Sequence, residues 1–137
     1  MFGAQQNRAA AYARVGVETG VSTADPHQLI VMLFDGALKA TAQAAAALDA
    51  KDIPAKGAAI SKAIDIISNG LKVSLDMEAG GELAERLAAL YDYMIDRLLY
   101  ANLKNSKAAL AEVSSLLDGL REAWISIAPG AQQPAVA

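Results

Sequence analysis

Apolar residues recur at steps of three and four residues in four long segments of this chain, which is the pattern of helices that bury one face. An aspartate followed by proline opens the first segment at Asp25, and this pair is typical of a capped helix start. The predicted helices cover residues 25–50, 52–75, 80–103 and 106–127. Because short connections join only antiparallel neighbours, we predict an all-α fold, an elongated antiparallel four-helix bundle.

The composition agrees with helices and disfavours a sheet. Hydrophobic residues make up 54% of the 137 residues, alanine is abundant and aromatic residues account for only 5%. Alanine is the best helix former, whereas sheets need more β-branched and aromatic residues than this chain has. Outside the bundle we predict a loosely held N-terminal segment over residues 1–24 and a disordered tail over residues 129–137.

Several classes of site are excluded by residue counts. The chain has no cysteine and a single histidine, His27, so neither a cysteine cluster nor a multi-histidine metal site is possible. We predict no metal and no cofactor. The net charge is -3 and the twelve basic residues are scattered, which argues against a nucleic-acid partner.

The start of the chain lacks the apolar stretch of a secretory signal, and no window approaches the roughly twenty apolar residues of a spanning helix. We therefore expect a cytoplasmic protein with no stable membrane insertion.

Catalytic sites on helical bundles are also disfavoured. A di-iron bundle needs a glutamate three residues before histidine, but Ala24 stands there before His27. A capping or solvated His27 is favoured over a phosphate acceptor. Gly80 and Gly81 lack the preceding strand and following lysine of a phosphate-binding loop, so they indicate a turn. We predict that the chain is not an enzyme.

The helices carry more apolar residues than their main stripes need. We call the surplus the apolar seam, and it consists of Ile66 and Val73 on the second helix, Ile95, Leu99 and Leu103 on the third, and Leu116 and Ile127 on the fourth. Three interpretations stay open at this point. The seam widens the core stripes, joins two copies of the chain, or receives an amphipathic segment of a partner.

Four sequence motifs, which follow one another along the chain, go beyond the general pattern of a helical bundle. They are TADPHQLIVMLFDGA at residues 23–37, KAIDII at 62–67 leading to SLDM at 74–77, GGELA at 80–84 with LYDYM at 90–94, and LREAW at 120–124. Over Tyr12 to Trp124 the chain resembles the flagellin export chaperone family, FliS.

The resemblance implies a cytosolic chaperone whose partner is the C-terminal segment of flagellin. Such a chaperone prevents premature polymerisation, assists type III flagellar export and helps to present the subunit to the export gate. The client segment is disordered when free and wraps around the bundle. The family's N-terminal segment can lie over part of the client groove, and here it maps to Tyr12, Val15 and Val17. The alternative is an ordinary frayed leader in which the tyrosine packs for stability.

We therefore assign client binding to the apolar seam, to this N-terminal strap, and to Asn102 and Asn105, where the third helix ends. For the two asparagines, capping of the helix end is an equally good interpretation. The alternative function is a helical structural or assembly protein that uses the seam for self-association. The free chain is expected to be a monomer or a weak dimer.

Overall fold

The computed structural model of the protein describes residues 25–127, and these residues form helices and turns with no strand. Helix α1 spans Pro26–Asp49, α2 spans Ile53–Ile66 and continues as a π-helical segment over Ile67–Lys72, α3 spans Met77–Lys104, and α4 spans Lys107–Ser126. The predicted all-α class is confirmed. The predicted N-terminal segment and tail lie outside the described residues.

Each helix begins after a side chain that accepts a backbone N–H of its first turn, so that one otherwise unpaired donor is satisfied. The carboxylate of Asp25 accepts from Gln28, 2.7 Å away. The same arrangement recurs at Asp52, Asp76 and Ser106. Ser106 therefore caps α4.

The four helices form a ring in which α1 packs against α2 and α4, and α3 packs against the same two helices. Ion pairs show the antiparallel direction. Lys107 at the start of α4 bonds Asp49 at the end of α1, 2.8 Å away, and Arg121 near the end of α4 bonds Asp35. The start of α4 therefore lies beside the end of α1, and the two helices run in opposite directions.

Large apolar side chains from every helix meet along the axis of the bundle, and alanines fill the narrow places between them. The fully buried large side chains are Ile60, Ile67, Leu71, Met94, Leu98, Leu110, Val113 and Leu117. Ala37, Ala44, Ala63 and Ala101 are completely inaccessible to solvent. Such small residues let helix backbones approach closely, and the apolar area they help to seal drives folding.

The second helix is not a regular α-helix throughout, in contrast to the prediction for residues 52–75. It is α-helical only to Ile66 and π-helical over Ile67–Lys72. Its core residues Ala63, Ile67 and Leu71 follow each other at steps of four, which would turn the stripe by about 40° per step in an α-helix. The wider π turn removes this drift and keeps both Ile67 and Leu71 buried.

A break near its start interrupts α3, which was predicted to begin at residue 80. Helical residues begin at Met77, but Gly81 has φ 53° and ψ -128°, a conformation open almost only to glycine. At Gly80 an added Cβ would lie 2.7 Å from Cβ of Ala84. Both glycines of the predicted turn are therefore required by local geometry.

Replacing Gly81 by alanine should lower the free energy of unfolding by about 1–2 kcal/mol, because alanine is strained at this φ. The matched control is Gly57→Ala, where an added Cβ meets no atom within 4 Å. That change should raise stability by up to about 1 kcal/mol. Urea unfolding of both variants checks the pair, and equal shifts would contradict the account of the break.

By length and composition, α1 is apolar enough to cross a membrane, with a mean hydropathy of 1.3 over an 18-residue window. This corrects the expectation that no window of the chain approaches the apolar length of a spanning helix. Its buried face, which includes Leu33, Phe34 and Ala37, packs into the core. A core helix of a bundle meets the same criterion, so the finding is weak evidence for a membrane segment.

Candidate functional site

Most of the exposed large apolar side chains belong to one helix. Within residues 25–127 there are eight, and α3 carries six of them. Exposed apolar groups gathered on one element mark an interaction surface more often than scattered ones do. The six are Met77, Leu83, Tyr93, Leu99, Tyr100 and Leu103, and the other two are Ile53 and Ile127.

One side of α3 presents leucines towards the neighbouring helix α2. Leu99 is 52% exposed, Leu103 is 78% exposed, and half-buried Ile95 lies one turn before Leu99. We call these three residues the leucine flank. On the same side of α3, Asp92 accepts a 2.7 Å bond from Lys72 of the π-helical segment. An exposed ion pair of this kind contributes little to stability, so it holds α3 against the π-helical segment only weakly.

The other predicted members of the apolar seam are not all at the surface. Val73 is half-buried at the end of the π-helical segment, Leu116 is half-buried against the core, and Ile127 is 52% exposed. Ile66 is only 5% exposed and packs in the core, so the expectation that it lines an exposed seam is wrong. The π-helical segment begins directly after it and changes the face on which Val73 lies.

The two asparagines at the end of α3 are engaged within the bundle. Lys56 of α2 is buried, and its ammonium donates to the backbone carbonyl of Asn102, 2.9 Å away, and to Oδ1 of Asn105. Asn105 also ends the helix in the left-handed conformation, with φ 52°. A cation at the negative end of a helix is favourable. The structure therefore shows the capping role, and client contacts of these residues stay a prediction.

Sequence reasoning missed Lys56, because a lone lysine in an amphipathic helix normally indicates a solvated position. Nothing in its spacing distinguishes it from the exposed lysines of the chain. It matters to the surface because it ties α2 to the end of α3, next to Leu99 and Leu103.

The side of α3 next to α4 carries a polar aromatic group that we call the tyrosine flank, formed by Tyr93, Arg97 and Tyr100. The Tyr93 hydroxyl donates to Glu112 of α4, and Nε of Arg97 donates to the same carboxylate, 2.8 Å away. The Arg97 guanidinium lies 4.6 Å from the centre of the Tyr100 ring. These bonds join α3 to α4 and leave both rings partly exposed.

The bonds of the tyrosine flank also shift the pKa values of Tyr93 and Glu112. The hydrogen bond to Glu112 raises the pKa of Tyr93, and the bonds from Tyr93 and Arg97 lower the pKa of Glu112. Tyr91 differs, because burial alone raises its pKa to about 12. Tyr91 is buried in the bundle, whereas Tyr93 is exposed and Arg97 is partly exposed.

At one end of the bundle, His27 and Trp124 form a reciprocal contact. Nε2 of His27 lies 2.8 Å from the Trp124 carbonyl, and the indole N–H donates to the His27 carbonyl, 3.0 Å away. The two rings stack with centroids 4.7 Å apart. His27 is therefore not a solvated side chain, one of the two roles that the sequence suggested; its ring nitrogen meets a carbonyl in the last turn of α4 and so joins α1 to α4.

Replacing Trp124 by phenylalanine should lower the free energy of unfolding by about 1–2 kcal/mol, because it removes one hydrogen bond and leaves the His27 carbonyl without that donor. Thermal unfolding followed by circular dichroism measures the change. Ile125→Leu, which keeps the volume of the neighbouring half-buried residue, is the control. Equal stability of Trp124→Phe and the parent chain would contradict a structural role for this contact.

Among the described residues, no group of three or more histidine, aspartate or glutamate side chains is placed to hold a metal ion. The surface thus offers apolar and aromatic contacts, and these suit the binding of a polypeptide.

Comparison with known proteins agrees with this kind of surface. The family model described as flagellar protein FliS matches residues 8–131. The chain belongs to the FliS family. It is 57% identical over 121 residues to the flagellar secretion chaperone FliS of Salmonella typhimurium, covering 88% of this chain and 90% of that protein.

Two further relatives carry the same description, flagellar secretion chaperone FliS. The Escherichia coli protein is 48% identical, with 83% of this chain and 84% of the relative covered. The Bacillus subtilis protein is 36% identical, with 78% of each covered. The resemblance seen in the motifs is confirmed. FliS is a family of chaperones, so the prediction that this chain is not an enzyme is confirmed as well.

Proposed function

We propose that this FliS-family chain is a cytosolic export chaperone that binds the disordered C-terminal segment of flagellin. By covering that segment it prevents premature polymerisation, and it assists type III export by presenting the subunit at the export gate. Family membership supports the export role. The choice of surface rests on one observation, the concentration of exposed large apolar side chains on α3.

The leucine flank supplies the main contact in this proposal. Leu99 and Leu103 are one helical turn apart and more than half exposed, so an amphipathic segment can cover both at once. Full burial of a leucine is worth about 1.5–3 kcal/mol. Ordering a disordered client costs about 2–5 kcal/mol of the gross interaction. Two leucines alone therefore roughly offset the ordering, and useful affinity needs further contacts.

The further contacts come from the other residues that the sequence assigns to client binding. Ile95 is the third member of the leucine flank, Val73 directly follows the π-helical segment, Leu116 lies on α4 and Ile127 directly follows it. The predicted strap of Tyr12, Val15 and Val17 lies outside the described residues and stays part of the proposal.

If this strap competes with the client for the leucine flank, then Tyr12→Ala should tighten client binding.

Isothermal calorimetry with a peptide of the cognate flagellin C-terminus tests the proposal. We expect saturable binding with one peptide per chain. Sedimentation of the free chain is the companion measurement, since the leucine flank also offers a surface for a second copy. A tight dimer that does not bind the peptide would overturn the proposal and support the self-association function instead.

A further inference from the structure

Lys56 is buried without a carboxylate to balance its charge. It is 4% exposed, and none of the ion pairs among residues 25–127 involves it. Its ammonium donates to two uncharged oxygens, the Asn102 carbonyl, 2.9 Å away, and Oδ1 of Asn105. Taking a lysine charge out of water costs free energy that neutral acceptors return only in part. Stability alone therefore does not explain a lysine at this position.

The acceptors of Lys56 lie in and directly after the last turn of α3. The final four carbonyls of a helix have no intrahelical partner, and in α3 these belong to residues 101–104. The Ala101 carbonyl accepts from the first two backbone N–H groups after the helix. The Asn102 carbonyl accepts from the ammonium of Lys56. Lys56 thus supplies a donor from α2 that holds the last turn of α3 closed.

The other side of this bond is firmly placed, because Lys56 lies at the capped start of α2. The side chain of Asp52 caps that helix by accepting the N–H of Ala55, 3.1 Å away. The carbonyl of Asp52 accepts the N–H of Lys56 itself, 2.9 Å away. A capped helix start resists fraying. The start of α2 therefore serves as the fixed side from which Lys56 reaches the end of α3.

The turn that Lys56 holds also carries the outer end of the leucine flank. Leu103 follows Asn102 in the chain and is the most exposed large apolar side chain within residues 25–127, at 78%. It therefore has almost no packing of its own to hold it in place. If the last turn opened, Leu103 would no longer lie one helical turn from Leu99, and an amphipathic segment could not cover both.

From these observations we infer that Lys56 is a positioning residue for the client surface. Its ammonium keeps the last turn of α3 helical, so that Leu103 stands beside Leu99 before the client arrives. This inference rests on the proposed function, since it concerns the same leucine flank. Apparent affinity falls in proportion to the fraction of molecules that are ready to bind, so a preformed turn strengthens binding without any contact between Lys56 and the client.

Lys56→Met tests the inference, because methionine keeps an unbranched apolar side chain and removes the ammonium. In the free variant, amide hydrogen exchange of Asn105 and Ser106 should become at least tenfold faster, whereas exchange of the core amide of Val113 should not change. A last turn that is closed in about one molecule in ten would lower the affinity for the flagellin C-terminal peptide about tenfold. The urea midpoint should stay near that of the parent chain.

A double-mutant cycle with Leu103→Ala shows whether Lys56 acts through Leu103. In the Leu103→Ala background, Lys56→Met should lower peptide affinity by no more than about threefold, because the side chain that the last turn positions is gone. A residue that only stabilises the fold would cause the same loss in both backgrounds. The matched control is Lys39→Met, a change of an exposed lysine on α1, which should leave exchange and affinity at the parent values.

The outcomes separate this inference from the proposed function. If the parent chain does not bind the peptide, the proposed function fails and the inference falls with it. If the parent binds, the inference alone is overturned by full affinity or unchanged amide exchange of Lys56→Met, or by an equal loss of affinity in both backgrounds of the cycle. A strongly lowered urea midpoint of Lys56→Met would overturn it as well, since Lys56 would then be an ordinary stabilising residue.

Discussion

Aspartate at both Leu99 and Leu103 should weaken binding of the flagellin C-terminal peptide by about 100-fold, as measured by calorimetry. The double change removes the two most exposed leucines of the leucine flank. Loss of their apolar burial costs about 2–4 kcal/mol, which corresponds to about 30- to 1000-fold in affinity. The new carboxylates would in addition lose hydration beneath the bound client.

Stability must be followed in the same variant, because an unfolded chain also loses binding. Both positions face solvent, so the urea midpoint should move little. Ala46→Asp, an exposed change on α1 across the bundle from α3, is the control and should bind the peptide as the parent chain does. Full affinity of the double variant would remove the leucine flank from the client surface.

The largest expected effect on stability belongs to Ile66→Asp. This side chain is 5% exposed, and its Cδ1 lies so close to α1 that a Cβ added at Gly36 would be 3.3 Å away. An unpaired carboxylate there loses both hydration and packing, so the free energy of unfolding should fall by about 3–5 kcal/mol. For a domain whose free energy of unfolding is about 5 kcal/mol, the low end of the ordinary range, part of the helicity would be lost at 25 °C.

Far-ultraviolet circular dichroism during urea unfolding measures this change, with Leu103→Asp as the surface control of the same chemistry. Only Ile66→Asp should shift the midpoint strongly. If Ile66→Asp instead stayed folded and lost only peptide binding, Ile66 would lie on the exposed seam that the sequence suggested, and its placement in the core would be wrong.

Helix content and helix starts are local properties, and for that reason the sequence predicts them well. Apolar spacing at three and four residues defines each core stripe, and Asp25 and Ser106 are caps recognisable from residue type alone. The family motifs then predict the kind of activity. The exposed members Leu99 and Leu103 follow from the same spacing, since they fall off the stripe that α3 buries.

The misplaced residues share a cause, which is that their positions depend on irregular backbone or on another helix. Ile66 and Val73 are seven apart and would share a face in a regular α-helix, but the π-helical segment separates their environments. Leu83, which its spacing from Leu87 and Leu90 would place on the core stripe of α3, is exposed close to the break at Gly81. Lys56 is buried only because the end of α3 offers it two oxygen acceptors.

The central claim is that α3 is the client-binding helix, and methyl chemical-shift mapping tests it most directly. The chain would be labelled at leucine and isoleucine methyl groups and titrated with unlabelled flagellin C-terminal peptide. We predict the largest shifts at Leu99 and Leu103, a further shift at Ile127, and small ones at buried Leu110. Shifts concentrated on α1, with Leu99 and Leu103 unchanged at saturation, would contradict the claim.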